Sequence, residues 1–164
     1  RCRYSHSKIM IEVDITEAMV SSARERAEKP TVIRSAIPGG GLLEGFLGEE
    51  VANTVLQGDI VNTYDYDIIL DAGETVDVKT KRVTSAPLTS YSCSVMKTGF
   101  NQNCDYYAFV RVLKNLKTAW YLGSIKKGDF FTEATFHKKG EYDPTNNYTF
   151  RANCYNIPIE SLGQ

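Results

Sequence analysis

Asp67, Asp77 and Lys79 are the residues of this chain whose types and spacing best suit chemistry. They lie in residues 64–82, YDYDIILDAGETVDVKTKR, where Ile68, Leu70, Val76 and Val78 alternate with polar neighbours around Asp71-Ala72-Gly73. Such alternation, broken by a glycine-containing turn, predicts two strands joined by a tight hairpin. With the turn centred on Ala72, Asp67 faces Asp77. Directly facing residues have Cβ atoms about 4.5–5.5 Å apart, where like charges repel. Lys79, two residues beyond Asp77, projects from the same face, and the four aliphatic residues form an apolar opposite face. A bound divalent cation accounts for two acids and a lysine gathered in this way. Mg²⁺ takes oxygen ligands, usually one or two carboxylates with phosphate oxygens and water. The plainer alternative is a surface hairpin with solvated charges, in which Lys79 only neutralises Asp77.

The elements around the hairpin add one more acid. Residues 45–57, GFLGEEVANTVLQ, read as a helix: at 100° per residue Leu47, Val51 and Val55 share one side, widened by Ala52 and Leu56. Glu49 falls at the edge of that apolar arc, and Glu50 points further out, near Asn53. Before it, Thr16 is expected to cap a helix that runs to about residue 29 and is ended by Pro30. Residues 9–13 suggest an edge strand, and residues 30–41 a loop rich in Pro and Gly.

Asp67, nine intervening residues and then Asp77-Val78-Lys79 resemble the PD-(D/E)xK signature of restriction-endonuclease-like nucleases, with Tyr66 where proline often precedes the first acid. Gly48-Glu49-Glu50-Val51-Ala52 is similar to the opening helix of resolvase-like members. Residues 105–112, Tyr121-Leu122-Gly123-Ser124-Ile125 and Asp129-Phe130-Phe131 resemble the back half of phage and restriction-type nucleases. Together these segments cover roughly residues 42–135. The resemblance implies an α/β fold, a restriction-endonuclease-like core of mixed β-sheet flanked by helices. It implies Mg²⁺, with Mn²⁺ as the alternative ion, held by Asp67, Asp77 and the Val78 backbone carbonyl. The third acid is carried to Glu49 first and Glu50 second. Lys79 then orients the nucleophile or stabilises the pentavalent phosphate. The implied activity is hydrolysis of phosphodiester bonds in DNA, as an endonuclease. A homodimer is one arrangement that would cut both strands. A catalytically inactive, nucleic-acid-binding relative of the same fold is the alternative.

Composition sets outer bounds. At 164 residues, 42% hydrophobic and 24% charged, the chain suits one globular domain with a real core rather than a disordered segment. No apolar run approaches the ~18–20 residues needed to cross a bilayer. No secretory leader is read, so an intracellular, cytoplasmic setting is expected, although the first residue is Arg and the native start is left open. Cys2, Cys93, Cys104 and Cys154 form no C-x-x-C pair and are expected to be free, buried thiols. His6 and His137 lie in no metal-ligand spacing, and Pro38-Gly39-Gly40-Gly41 lacks the Lys-Ser/Thr of a phosphate loop.

A net charge of −1 is low for a strong non-specific nucleic-acid binder, but the positive residues cluster. Lys79, Lys81 and Arg82 follow the hairpin, Lys97 and Arg111 come later, and Lys126-Lys127 and Lys138-Lys139 form pairs. They are candidates for a phosphate track. Tyr64, Tyr66, Tyr91, Tyr106 and Tyr107 are candidates for stacking on bases, with packing as the commoner use. Further strands are expected at residues 91–97, 104–113, 119–125 and 148–152, with a turn at residues 114–117. Residues 130–136 fit either a short helix or a strand.

Overall fold

The computed structural model describes residues 9–28, 42–61 and 63–163. Cys2, His6, Pro30 and the Pro38–Gly41 run lie outside the described residues. Strands β1 (Ile11–Asp14), β2 (Asp59–Ile60), β3 (Ile68–Ile69), β4 (Thr75–Val83), β6 (Tyr106–Leu113) and β7 (Thr118–Lys126) form a six-stranded sheet in the order β1-β7-β6-β4-β3-β2. β4 and β6 run parallel and the other pairs antiparallel, so the sheet is mixed. A second, three-stranded sheet is built from β5 (Ser92–Met96), β8 (Thr135–His137) and β11 (Cys154–Pro158). β9 (Tyr142–Asp143) and β10 (Tyr148–Thr149) form a small hairpin.

β6 is central because it is apolar on both faces, as a strand covered on both sides must be. Ala108, Val110 and Val112 point into one core with α1 (Glu17–Glu28) and α2 (Leu42–Leu56). Tyr107 and Phe109 point into a second core with β5, β11 and α3 (Lys127–Glu133). The fold is therefore α/β, a mixed sheet flanked by helices. Opposite Phe109 and Val110, β7 carries one extra residue, with Gly123 at φ 129°. This bulge resets the alternation, so Ile125 joins the same core as Trp120 and Leu122.

α2 packs on β4, β6 and β7, and α1 packs on α2. Its approach to β4 is close: a Cβ at Gly48 would lie 1.8 Å from Thr80 Oγ1. The Met19 amide donates to Thr16 Oγ1 at 3.2 Å, which makes Thr16 the cap of α1. Residues 130–136 divide between the end of α3 and β8. The strand β11 was not expected; its sequence, Cys-Tyr-Asn-Ile-Pro, ends on a proline that suits an edge or terminus. Cys93, Cys104 and Cys154 are buried thiols that form no disulfide. Among the described residues no helix is long and apolar enough to cross a membrane.

Candidate active site

The hairpin has the expected register: Ile68 pairs with Val76 and Ile69 with Thr75. Its turn is closed by the Leu70 amide donating to Glu74 O at 2.8 Å and the Gly73 amide donating to Leu70 O at 2.8 Å. Gly73, at φ 88°, takes a conformation that an L side chain resists. At the other end, the Asp67 amide also donates to Val76 O, at 2.9 Å, although Ile68 already faces Val76. Two residues of one strand thus oppose one of the other, a bulge that ends the ladder and re-aims Asp67. Its Oδ2 accepts the Val78 amide at 2.8 Å. A strand residue directs its N–H and C=O off the same edge. The Val78 carbonyl therefore leaves on the Asp67 side, beyond the end of β3.

Glu49 reaches this edge from α2 and is buried. Its carboxyl group lies near those of Asp67 and Asp77, close enough for the three to act on one another's charge. Behind it, Arg26 of α1 donates to Glu49 Oε2 at 2.5 Å and to Phe46 O at 3.0 Å, with its guanidinium 4.8 Å from the Phe46 ring centre. Glu50 does not join the other three acids. Its Oε1 accepts from Ser22 at 2.5 Å and Arg26 at 3.1 Å, which turns it toward α1.

Asp77 and Lys79 share the face of β4 that looks toward Tyr107. Lys79 Nζ lies 2.8 Å from Asp77 Oδ2 and 5.7 Å from the Tyr107 ring centre. Gln102 ties the two together: its Nε2 donates to Asp77 Oδ1 at 3.0 Å, and its Oε1 accepts from Lys79 Nζ at 3.0 Å. Lys127 holds the backbone of that segment by donating to Phe100 O at 2.8 Å and to Gln102 O. Asn103 donates its amide to Asp65 Oδ1 at 3.1 Å, which fixes the segment to the approach to β3.

Three neighbouring carboxyl groups that act on one another's charge cannot all ionise freely. Burial pushes Glu49 up from 4.5 to about 7, against the opposing pull of Arg26. Burial raises Asp67 well above its ordinary value, and the charges of Asp77 and Glu49 add to it. Asp77 is raised by burial and held back by Lys79.

The donor set fits a hard divalent cation. All candidate donors are oxygens, and buried Asp77 Oδ2 has no hydrogen-bond donor, because Lys79 meets it as an ion pair outside bonding angles. Among the described residues no group of three or more His, Cys, Asp or Glu side chains is spread as a ready metal cage. The carboxyl groups are turned instead to one another and to Arg26, Lys79 and Gln102.

The structure thus brings Glu49, Asp67, Asp77, Lys79 and the Val78 backbone together and sets Glu50 apart. Gln102 and Arg26 were not expected at the site. Gln102 sits in a polar stretch with no period, and only the fold brings it to Asp77. Arg26 lies on the charged helix α1, and only the packing of α1 on α2 brings it to Glu49. Two expected surface groups lie mostly inside: Tyr107 is fully buried and so is no open stacking residue, and Arg111 is 6% exposed. The sequence matches no family model, and a comparison with curated proteins finds no match either.

Proposed function

We propose that this chain is a metal-dependent nuclease that hydrolyses phosphodiester bonds in DNA. The meeting of Glu49, Asp67 and Asp77 at one sheet edge, with Lys79 2.8 Å from Asp77, is the observation that carries this reading. The resemblance of Asp67 and Asp77-Val78-Lys79 to the PD-(D/E)xK signature supports it. Mg²⁺ would be held by Asp67, Asp77 and the Val78 carbonyl, with Glu49 completing the set. When bound, such a cation supplies Lewis-acid polarisation of the phosphoryl oxygen and a lowered pKa for water.

The chain's own residues have separate tasks. Asp67 and Asp77, both raised by burial, would hold the cation in their deprotonated form. Lys79, beside the carboxylates, offers its ammonium to the oxygens of the attacked phosphate, where negative charge grows. Gln102 keeps the Lys79 ammonium from swinging into solvent. Arg26 fixes the Glu49 rotamer from behind the site.

Circular and linear DNA incubated with Mg²⁺, Mn²⁺ or EDTA tests the proposal. Nicking of the circle in either metal and none in EDTA is the expected result. Asp77→Ala and Lys79→Ala are expected to abolish cleavage while circular dichroism shows the fold kept. Unchanged metal-dependent cleavage by either variant would overturn the assignment. Binding of DNA without cleavage by the wild type would replace it with the inactive relative.

A further inference from the structure

The face of β4 that carries Asp77 and Lys79 carries Lys81 two residues further on. The parallel ladder sets Lys81 directly beside Arg111 of β6. Like charges so placed repel. Neither is neutralised: among the described residues no carboxylate forms an ion pair with Lys81 or Arg111. Arg111 Nη2 donates to Ser92 O at 2.9 Å, and the guanidinium lies 5.5 Å from the Tyr91 ring centre. These contacts hold the group in place but supply no counter-charge, and they occupy few of its five N–H donors.

Both cations bear the cost of this arrangement. Lys81 is depressed by the protein packed around it and then by Arg111, although its side chain still reaches the surface. Arg111 is depressed by burial. Tying β6 to Ser92 O needs only a neutral donor, so that role explains neither the charge of Arg111 nor the adjacent lysine. An anion bound between them relieves the repulsion and takes up the remaining donors, as a guanidinium does with phosphate.

We propose that Lys81 and Arg111 form a phosphate site for the same nucleic-acid strand that is cut at Asp67, Asp77 and Lys79. This rests on the nuclease reading and narrows its substrate. A strand rises about 3.3 Å per residue, which sets Lys81 about 13 Å from Asp77 along β4. A nucleic-acid strand advances about 3.4 Å per nucleotide along a duplex axis. The second phosphate is therefore a few nucleotides from the scissile one, and the substrate is a strand several nucleotides long rather than a dinucleotide.

Binding of a fluorescent DNA duplex to the full chain in EDTA, followed by anisotropy over a range of salt, tests this without relying on cleavage. Lys81→Gln is expected to weaken binding alike for all sequences and to lower the slope of log K against log salt by about one. Lys81→Arg should restore it. Arg111→Gln should act in the same direction, with circular dichroism showing that the fold is kept. An unchanged affinity and salt slope in Lys81→Gln would overturn the site, while metal-dependent cleavage would leave the nuclease reading standing. Calorimetry with inorganic pyrophosphate separates the sources of phosphate. Pyrophosphate binding that is lost in Lys81→Gln, with no DNA bound by the wild type, would assign the pair to a free phosphate and overturn the strand.

Discussion

Asp67 and Asp77 meet where one strand of the hairpin stops and the other runs on. The bulge at Asp67 lets its carboxylate accept the Val78 amide at 2.8 Å while it stays within reach of the charge of Asp77. In a regular ladder the two would stand as a repelling cross-strand pair. Here Glu49 and Lys79 come to the same point from a helix and from the next turn of the strand face. The site stores three acids whose carboxyls burial raises above their ordinary values.

That storage makes stability fall as pH rises. Glu49 titrates at about 7 when folded against an ordinary 4.5, so between these values the folded chain keeps a proton that the unfolded chain has lost. The unfolded state then binds fewer protons, and stability drops across the window and is level above it. Asp67 and Asp77, also raised, act in the same sense. Melting temperatures in EDTA should fall more from pH 4.5 to pH 7 for the wild type than for Glu49→Gln. An equal fall in both would count against the raised titration of Glu49. Added Mg²⁺ should raise the melting temperature more at pH 8 than at pH 5, because metal takes the deprotonated ligands.

Arg26 should prove costly to remove. It serves two largely buried acids, Glu49 and Glu50, and one buried carbonyl. Breaking a buried ion pair from one side typically costs about 3–5 kcal/mol, because the other charge is left uncompensated. Urea denaturation of Arg26→Met at pH 8 should show a loss of that order, and a smaller loss at pH 5, where Glu49 holds a proton. A loss independent of pH would mean that Arg26 acts by packing on Phe46 alone.

How much of this was legible depends on whether a residue's partner lies within its own element. The hairpin register, with Ile68 against Val76, follows from alternation and a glycine turn, which are local. The inward edge position of Glu49 follows from helical period in the same way. Gln102 and Arg26 carry no local signal. Their contacts span 25 residues to Asp77 and 23 to Glu49, and exist only after β6 and α1 have packed. Arg111 looks like a surface cation by type, but it occupies a position on a strand covered on both faces. Glu50 was separable from Glu49 only by its angle on the helix, and the structure keeps that difference.

Gly48 sets the distance between α2 and β4 and hence the reach of Glu49. A Cβ there would sit 1.8 Å from Thr80 Oγ1 and 2.8 Å from Thr80 Cβ, too near for either element to stay in place. Overpacking of this kind costs about 1–3 kcal/mol. Gly48→Ala should lose stability by that amount and lose cleavage through displacement of Glu49. Adding Thr80→Ala removes the nearer atom and should restore part of both. A Gly48→Ala chain as stable and as active as the wild type would show that α2 can shift freely.

Gln102 offers the sharpest separation of positioning from packing. Gln102→Ala removes the donor to Asp77 Oδ1 and the acceptor for Lys79 Nζ at once. Groups that orient metal ligands from behind typically cost about 10- to 100-fold in activity or metal affinity when removed. Gln102→Glu keeps an acceptor for Lys79 but cannot donate to Asp77 when ionised, and it brings a fourth carboxylate to the cluster. Asp77 should then hold its proton to higher pH. The cleavage profile of Gln102→Glu should shift to alkaline pH and its half-saturating Mg²⁺ should rise, while thermal stability at pH 5 stays near that of the wild type. A lower rate with an unmoved pH profile would reduce Gln102 to a filler of the gap between β4 and the 97–101 turn.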